Sequence, residues 1–207
     1  MKDLITPNMD IRAVLFDFGG VIADEGFKHG LQAIAQLNGL DPTTFIGLTR
    51  SLIYSSGYIN GQTSEAEFWQ RLRELSGISQ SDAELREAIL CRFTLRPHML
   101  ATVDRLRARG LTVAILSDQT NWLDELNARD DFFKHFDMVF NSFYLGTNKS
   151  DAEIFVSVRN GLFVYPQQIL FIDDYAGNTD RARAKGLNTI LYTDRADFET
   201  QIAALLA

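Results

Sequence analysis

Five short runs of the chain are apolar without polar alternation: Ala13–Phe18, Thr112–Ser117, Met138–Phe140, Ile169–Ile172 and Thr189–Tyr192. A strand with one wet face alternates, so such runs predict strands covered on both faces, as in a parallel sheet. Helical spacing separates and follows the last four. Pro97–Arg109 carries Leu100, Val103 and Leu106 on one stripe and runs into Gly110, a helix stop. Asn121–Arg129, Asp151–Arg159, Thr179–Lys185 and Ala196–Leu206 fit the same template. Strand–helix alternation predicts an α/β fold, a Rossmann-like doubly wound parallel sheet.

The rhythm breaks between the first two strands. From Asp24 to Arg96 there is no convincing strand, and the stretch reads as helices. Leu31–Leu37 and Phe45–Tyr54 fit two of them. Ser64-x-x-Glu67 and Ser81-x-x-Glu84 are capping boxes that open two more, with the stripes Phe68/Leu72/Leu75 and Leu85/Ile89/Phe93 facing inward. The expected organisation is a core of residues 1–23 and 97–207, with an all-helical insert over 24–96.

Composition narrows the class without naming a function. A length of 207 residues allows one domain with an inserted module. Hydrophobic residues at 46% and charged residues at 23% are a globular mix, not a disordered one. A net charge of −7 speaks against nucleic acid or an anionic membrane surface as partner. The one cysteine, Cys91, excludes an internal disulfide, and no Cys/His cluster is spaced for structural zinc. Met1–Asp10 carries Asp3 and Asp10 and no apolar run, so no signal peptide is expected there. No stretch approaches the roughly 18 apolar residues of a membrane span. The expected location is the cytoplasm, and oligomeric state is unreadable.

In an open parallel sheet, ligands bind beyond the carboxyl ends of the strands, near the switch point. Those ends read Asp17-Phe18-Gly19-Gly20, Ser117-Asp118 and Asp173-Asp174, with Lys149 in the loop after the third strand. A single Asp at a strand end is commonly a turn former or helix cap. Several together repel unless something opposes them. A divalent cation resolves that repulsion, and the hard oxygen ligands suit Mg²⁺. The set points to magnesium with a phosphate.

The order Asp17-x-Gly19-Gly20-Val21, Ser117-Asp118, Lys149 and Phe171-Ile172-Asp173-Asp174-(x)3-Asn178 resembles the haloacid dehalogenase-like hydrolase superfamily. The stretch Ala114–Asp124 is similar to the phosphatase domain of soluble epoxide hydrolase, and Asp17–Val21 to bacterial glucose-1-phosphatase-like members. The resemblance spans essentially the whole chain and makes the insert a cap domain. It implies that Asp17 attacks phosphorus and that Mg²⁺ is held by Asp17, the Gly19 carbonyl, Asp174 and Asp173, the last directly or through water. It further implies that Ser117 and the Asp118 N–H bind phosphate oxygens, that Lys149 offsets charge on Asp17 and the phosphoryl group, and that Asn178 orients the metal shell. The implied activity is hydrolysis of a small phosphorylated metabolite, a sugar phosphate among the candidates. The alternatives are a binding module without activity and a metal-free 2-haloacid dehalogenase.

Three positions depart from the superfamily pattern. Gly19 stands where most of its phosphatases carry the Asp that protonates the leaving oxygen; Asp24 and His29 are the candidate replacements. Asp118 stands where Asn is commoner, bringing a negative charge near a bound phosphate. Ser150 replaces the usual Pro after the lysine, which loosens the unfolded loop. Substrate choice is expected from the insert, with Tyr58, Asn60, Gln62 and Trp69 near the Gly57–Gly61 turn as candidates, although the favoured reading of Trp69 is packing inside the insert's helices.

Overall fold

The computed structural model describes residues 10–206, so the chain start examined for export signals lies outside them, Asp10 excepted. All five apolar runs are strands: β1 (Ala13–Phe16), β2 (Thr112–Ser117), β3 (Met138–Asn141), β4 (Ile169–Asp173) and β5 (Asn188–Leu191). They pair in parallel in the order β3-β2-β1-β4-β5. The chain therefore leaves the central β1 for β2 on one side and reaches β4 on the other, and the switch point lies at the end of β1. Alternate residues face opposite ways along each strand. Val14, Phe16, Val113, Ile115, Leu170 and Ile172 enter one apolar cluster, while Ala13, Leu15, Ala114, Leu116, Ile169 and Phe171 enter the other.

The helices are α1 (Gly26–Leu37), α2 (Pro42–Ser55), α3 (Glu65–Ser76) and α4 (Asp82–Leu90) in the insert. After it come α5 (Pro97–Ala108), α6 (Trp122–Asp130), α7 (Ser142–Leu145), α8 (Glu153–Leu162), α9 (Ala176–Ala184) and α10 (Arg195–Leu206). Both expected capping boxes are formed, Ser64 with Glu67 and Ser81 with Glu84. Among the described residues no helix is long and apolar enough to cross a membrane.

Most boundaries shift by a few residues, and two of the differences have plain physical reasons. β1 stops at Phe16, because the Phe18 N–H turns to its neighbour's carboxylate, Asp17 Oδ1, at 2.7 Å. Helix α1 starts at Gly26, five residues before the predicted Leu31. Gly26 and Gly30 depress helix propensity by about 1 kcal/mol each. A Cβ on Gly30 would lie 2.6 Å from the Ile89 Cα, so its glycine lets α1 lie against α4.

The larger apolar cluster runs without a break from the sheet into the insert. Trp69 of α3 stacks on Trp122 of α6 with ring centroids 5.7 Å apart, and both side chains are fully buried. Polar contacts follow the same seam: the Tyr58 hydroxyl donates to Asn121 Oδ1 at 2.8 Å and the Ser142 hydroxyl to the Ile59 carbonyl at 2.8 Å. Insert and sheet are thus expected to unfold together. Trp69→Ala should cost about 3–5 kcal/mol, and urea titration followed by far-UV circular dichroism should show one transition shifted as a whole. A second, separate transition would contradict the shared core.

Candidate active site

The register of the sheet levels the chemistry. Phe16 pairs with Ile115 on one side and Ile172 on the other, so Asp17, Ser117 and Asp173 emerge together at the carboxyl edge. Asp17 and Ser117 border a cavity of about 700 Å³. Asp17, Gly19, Ser117, Asp118, Lys149, Asp174 and Asn178, seven of the eight residues singled out in the sequence, line it. The eighth, Asp173, is wholly buried.

Lys149 is 1% exposed, and its ammonium donates to Asp17 Oδ1 at 2.8 Å and Asp173 Oδ2 at 2.7 Å. Burial works against its charge, and Asp17, Asp173 and Asp118 outweigh burial, holding its pKa well above the ordinary lysine range. Burial also pushes the Asp17 carboxyl up, against Lys149, with Asp173 and Asp174 adding to the rise. The Asp17 Oδ1 atom is taken by Lys149 and the Phe18 N–H, which leaves Oδ2 without a donor among the described residues. The Ser117 hydroxyl has no hydrogen-bond partner among the described residues either.

The loop carrying Lys149 is pinned by its main chain. Its N–H donates to Asp118 Oδ1 at 2.9 Å, and its carbonyl accepts from Arg181 Nε at 2.6 Å. Asn148 Oδ1 accepts the Ser150 N–H at 2.9 Å and its hydroxyl at 2.5 Å. A proline at 150 has no N–H to give, so the departure from the family pattern is matched by hydrogen bonds. The Asp118 carboxylate is also engaged: its other oxygen accepts from the Tyr54 hydroxyl of α2 at 3.2 Å. It ties sheet, loop and insert together.

Asp173 and Asp174 are adjacent in sequence and opposite in circumstance. Asp173 accepts from Lys149, from the Tyr175 N–H at 2.8 Å, and from Asn178 Nδ2 at 3.1 and 3.0 Å. Asn178 is in turn held by Arg181, which donates to its Oδ1 at 2.6 Å. Among the described residues no neighbouring residue donates to the Asp174 side chain, and only its own backbone N–H favours its charge. Burial, then Glu25 and Asp173, push its carboxyl up to about 6. Gly20 serves this carboxylate in two ways: its φ is +81°, and a Cβ there would lie 2.0 Å from Asp174 Oδ2. Carboxylate oxygens of Asp17, Asp173 and Asp174 lie within 4.8 Å of one another. Three carboxylates against one ammonium is a donor set with spare negative charge, the chemistry a hard divalent cation fits.

The residues expected to select substrate do not face the cavity. Trp69 and Tyr58 are in the shared core, and Asn60 Oδ1 accepts from Asn148 Nδ2 at 3.0 Å. The Gly57–Gly61 turn packs on α7, where a Cβ on Gly61 would meet the Phe143 carbonyl oxygen at 2.5 Å. Nor does the cavity include Asp24, paired with Arg96 Nε at 3.1 Å, or the exposed His29. The insert contributes Glu25, Phe27, Lys28, Arg50, Ile53, Tyr54 and Phe93 instead, and from the turn itself only Ile59. As lone residues these carry no motif; only the spacing of Arg50 and Tyr54, one helical turn apart, hints at a shared face.

A parallel sheet whose central strands bring carboxylates and a buried lysine to one cavity defines an α/β enzyme with an acid-rich centre. The chain belongs to the haloacid dehalogenase-like hydrolase family, whose sequence model matches residues 11–184. It is 32% identical over 117 residues to bifunctional epoxide hydrolase 2 of Rattus norvegicus, a match covering 53% of this chain and 21% of that protein's length. It is 26% identical over 204 residues to D-ribitol-5-phosphate phosphatase of Bacteroides thetaiotaomicron, covering 95% of this chain and 98% of that one. A HAD family enzyme of the same organism, solved as its magnesium complex, superposes with a TM-score of 0.72 at 24% identity, covering 90% of this chain and 94% of the other, which shows the shared fold.

The raised pKa of Asp174 predicts a pH dependence of stability. A carboxyl titrating higher when folded than when unfolded penalises the folded state as pH rises through about 6. Asp174→Asn should therefore raise the melting temperature of the metal-free protein at pH 8, by about 2–4 °C if screening leaves about 1 kcal/mol of the repulsion. The gain should vanish below pH 4. A loss of stability at pH 8, by differential scanning fluorimetry in EDTA, would contradict the repulsive cluster.

Proposed function

We propose that the protein is a magnesium-dependent phosphatase that hydrolyses a small phosphorylated metabolite, a sugar or polyol phosphate, through an aspartyl phosphate on Asp17. The observation that carries the reading is the Asp17 carboxylate, one oxygen fixed by Lys149 at 2.8 Å and the other without a donor among the described residues, beside Asp174 in the cavity. A carboxylate is a weak nucleophile, so the reaction depends on alignment and charge neutralisation more than on basicity. Fixing Oδ1 orients Oδ2 for attack on phosphorus. The Lys149 ammonium, the Ser117 hydroxyl and the Asp118 N–H would bind the equatorial phosphoryl oxygens, where charge spreads in the transition state.

Asp17, Asp174 and the Gly19 carbonyl would hold the Mg²⁺, which supplies electrostatic stabilisation of the transferring phosphoryl group. Asp173, already accepting from three donors, acts by holding Lys149 and Asn178 in place, and any share it has in the metal runs through water. The helical insert serves as a cap over the cavity, with Lys28 and Arg50 meeting the polar body of the substrate. A phosphorylated polyol as substrate takes support from the D-ribitol-5-phosphate phosphatase relative. The dehalogenase alternative draws none from a cavity in which Glu25 and Asp174 would repel a departing halide.

Phosphate release from acetyl phosphate, sugar phosphates and polyol phosphates should require Mg²⁺ and stop in EDTA. Asp17→Asn should lower it by on the order of 10³-fold or more. Undiminished release by the variant would overturn the reading. Chloride release from chloroacetate without metal would instead identify a dehalogenase, and silence from folded, magnesium-loaded protein a binding module.

A further inference from the structure

Hydrolysis by way of Asp17 needs a proton donor for the leaving oxygen and later an acceptor for the proton of water, and Gly19 can be neither. Of the other ionisable groups that line the cavity, Asp174 belongs to the proposed metal site, Lys28 and Arg50 are cations assigned to the polar body of the substrate, and Tyr175 is largely exposed. Lys149 is enclosed by two carboxylates, Asp118 holds the Lys149 loop and Tyr54, and Arg181 holds the Lys149 carbonyl and Asn178. Burial and the neighbouring Asp118 keep the Tyr54 hydroxyl from ionising. Asp24 and His29 do not line the cavity.

Glu25 remains. It is the N-cap of α1, where its Oε1 accepts the Lys28 N–H at 3.4 Å, a long bond. Its Oε2 has no hydrogen-bond partner among the described residues, and the side chain borders the cavity. That free oxygen lies 3.5 Å from the place where a Cβ on Gly19 would stand, with Phe93 Cε1 3.5 Å away as well. A carboxylate at position 19 would reach into space that Glu25 already fills.

We propose that Glu25, delivered from the first turn of the insert, is the general acid–base of this reaction. The inference rests on the phosphatase reading of Asp17. In the first step an Asp17 oxygen bonds to phosphorus as the bond from phosphorus to the leaving oxygen breaks, and that oxygen takes the Glu25 proton. In the second step a water oxygen bonds to phosphorus, its proton returns to Glu25, and the bond from phosphorus to Asp17 breaks to release phosphate.

The experiment compares the wild type with Glu25→Gln on 2,4-dinitrophenyl phosphate, whose leaving group needs no proton, and on an alkyl phosphate, whose leaving group does. The variant should release one equivalent of dinitrophenol per active site at the wild-type rate, then turn over about 10²–10⁴-fold more slowly, as dephosphorylation waits on an unassisted water. On the alkyl phosphate it should lose a similar factor with no burst. The burst also reports an intact fold and a working Asp17. An equal loss on both substrates without a burst, or no loss on either, would overturn the assignment. Should Glu25→Gln not fold, Glu25→Ser, a preferred helix N-cap, carries the same expectation. Asp17→Asn should show no burst; a burst from that variant would sink the phosphatase reading itself.

Discussion

The Lys149 ammonium, 1% exposed between Asp17 and Asp173, is the contact on which the rest of the centre depends. A parallel sheet sends its central strands out side by side, so Asp17 and Asp173 must emerge as neighbours, and neighbouring carboxylates repel. Lysine meets that repulsion from the side, and burying it is tolerable only with every partner in place. The structure supplies them. Asp118 takes the lysine's N–H, Arg181 its carbonyl, and Asn178 completes the shell of Asp173. Removing one partner of such a buried pair costs more than the pair is worth, because the other charge is left uncompensated. The centre therefore stands or falls as a unit.

What the lysine does not neutralise becomes the functional surplus. Asp174, without a donor from any described neighbour and next to Glu25 and Asp173, holds negative charge that the metal-free protein tolerates at a cost in stability. Such local strain at a binding site is a common exchange of stability for function. The insert belongs to the same economy of contacts. It is joined to the sheet by the Trp69–Trp122 stack and by hydrogen bonds from Tyr54, Tyr58 and the α7 serine. Its cavity-facing groups are thereby held at fixed height above the strand ends, which is what a group acting on a bound phosphate requires.

Much of this was legible in the sequence because it follows local rules. Unbroken apolar runs gave away the strands, and the capping boxes at Ser64 and Ser81 opened helices where the pattern said. The ordered Asp, Ser and Asp-Asp signals sit at strand ends, so parallel pairing brings them together, and Lys149 joins them from the loop held by Asp118 and Arg181. What escaped was tertiary. Gly26 and Gly30 hid the first turn of α1, since a helix that packs at glycine distance breaks the propensity rule. Tyr58 and Asn60 read as part of a turn facing the site, yet Tyr58 is buried in the seam between insert and sheet, while Trp69 packs in the core, the reading its sequence favours. Glu25 and Arg181 stand in no motif, and only the folded chain sets one over Gly19 and the other behind Lys149. The four-residue α7 is too short to show a period.

The account turns on whether Asp17 becomes phosphorylated. The most direct measurement is to quench turnover of a labelled phosphate donor in acid, reduce the acyl phosphate with borohydride, and map the modified peptide by mass spectrometry. The account predicts conversion of Asp17, and of no other carboxylate in the cavity, to homoserine. Steady turnover with no residue trapped, or trapping at Asp174 or Asp118, would contradict it.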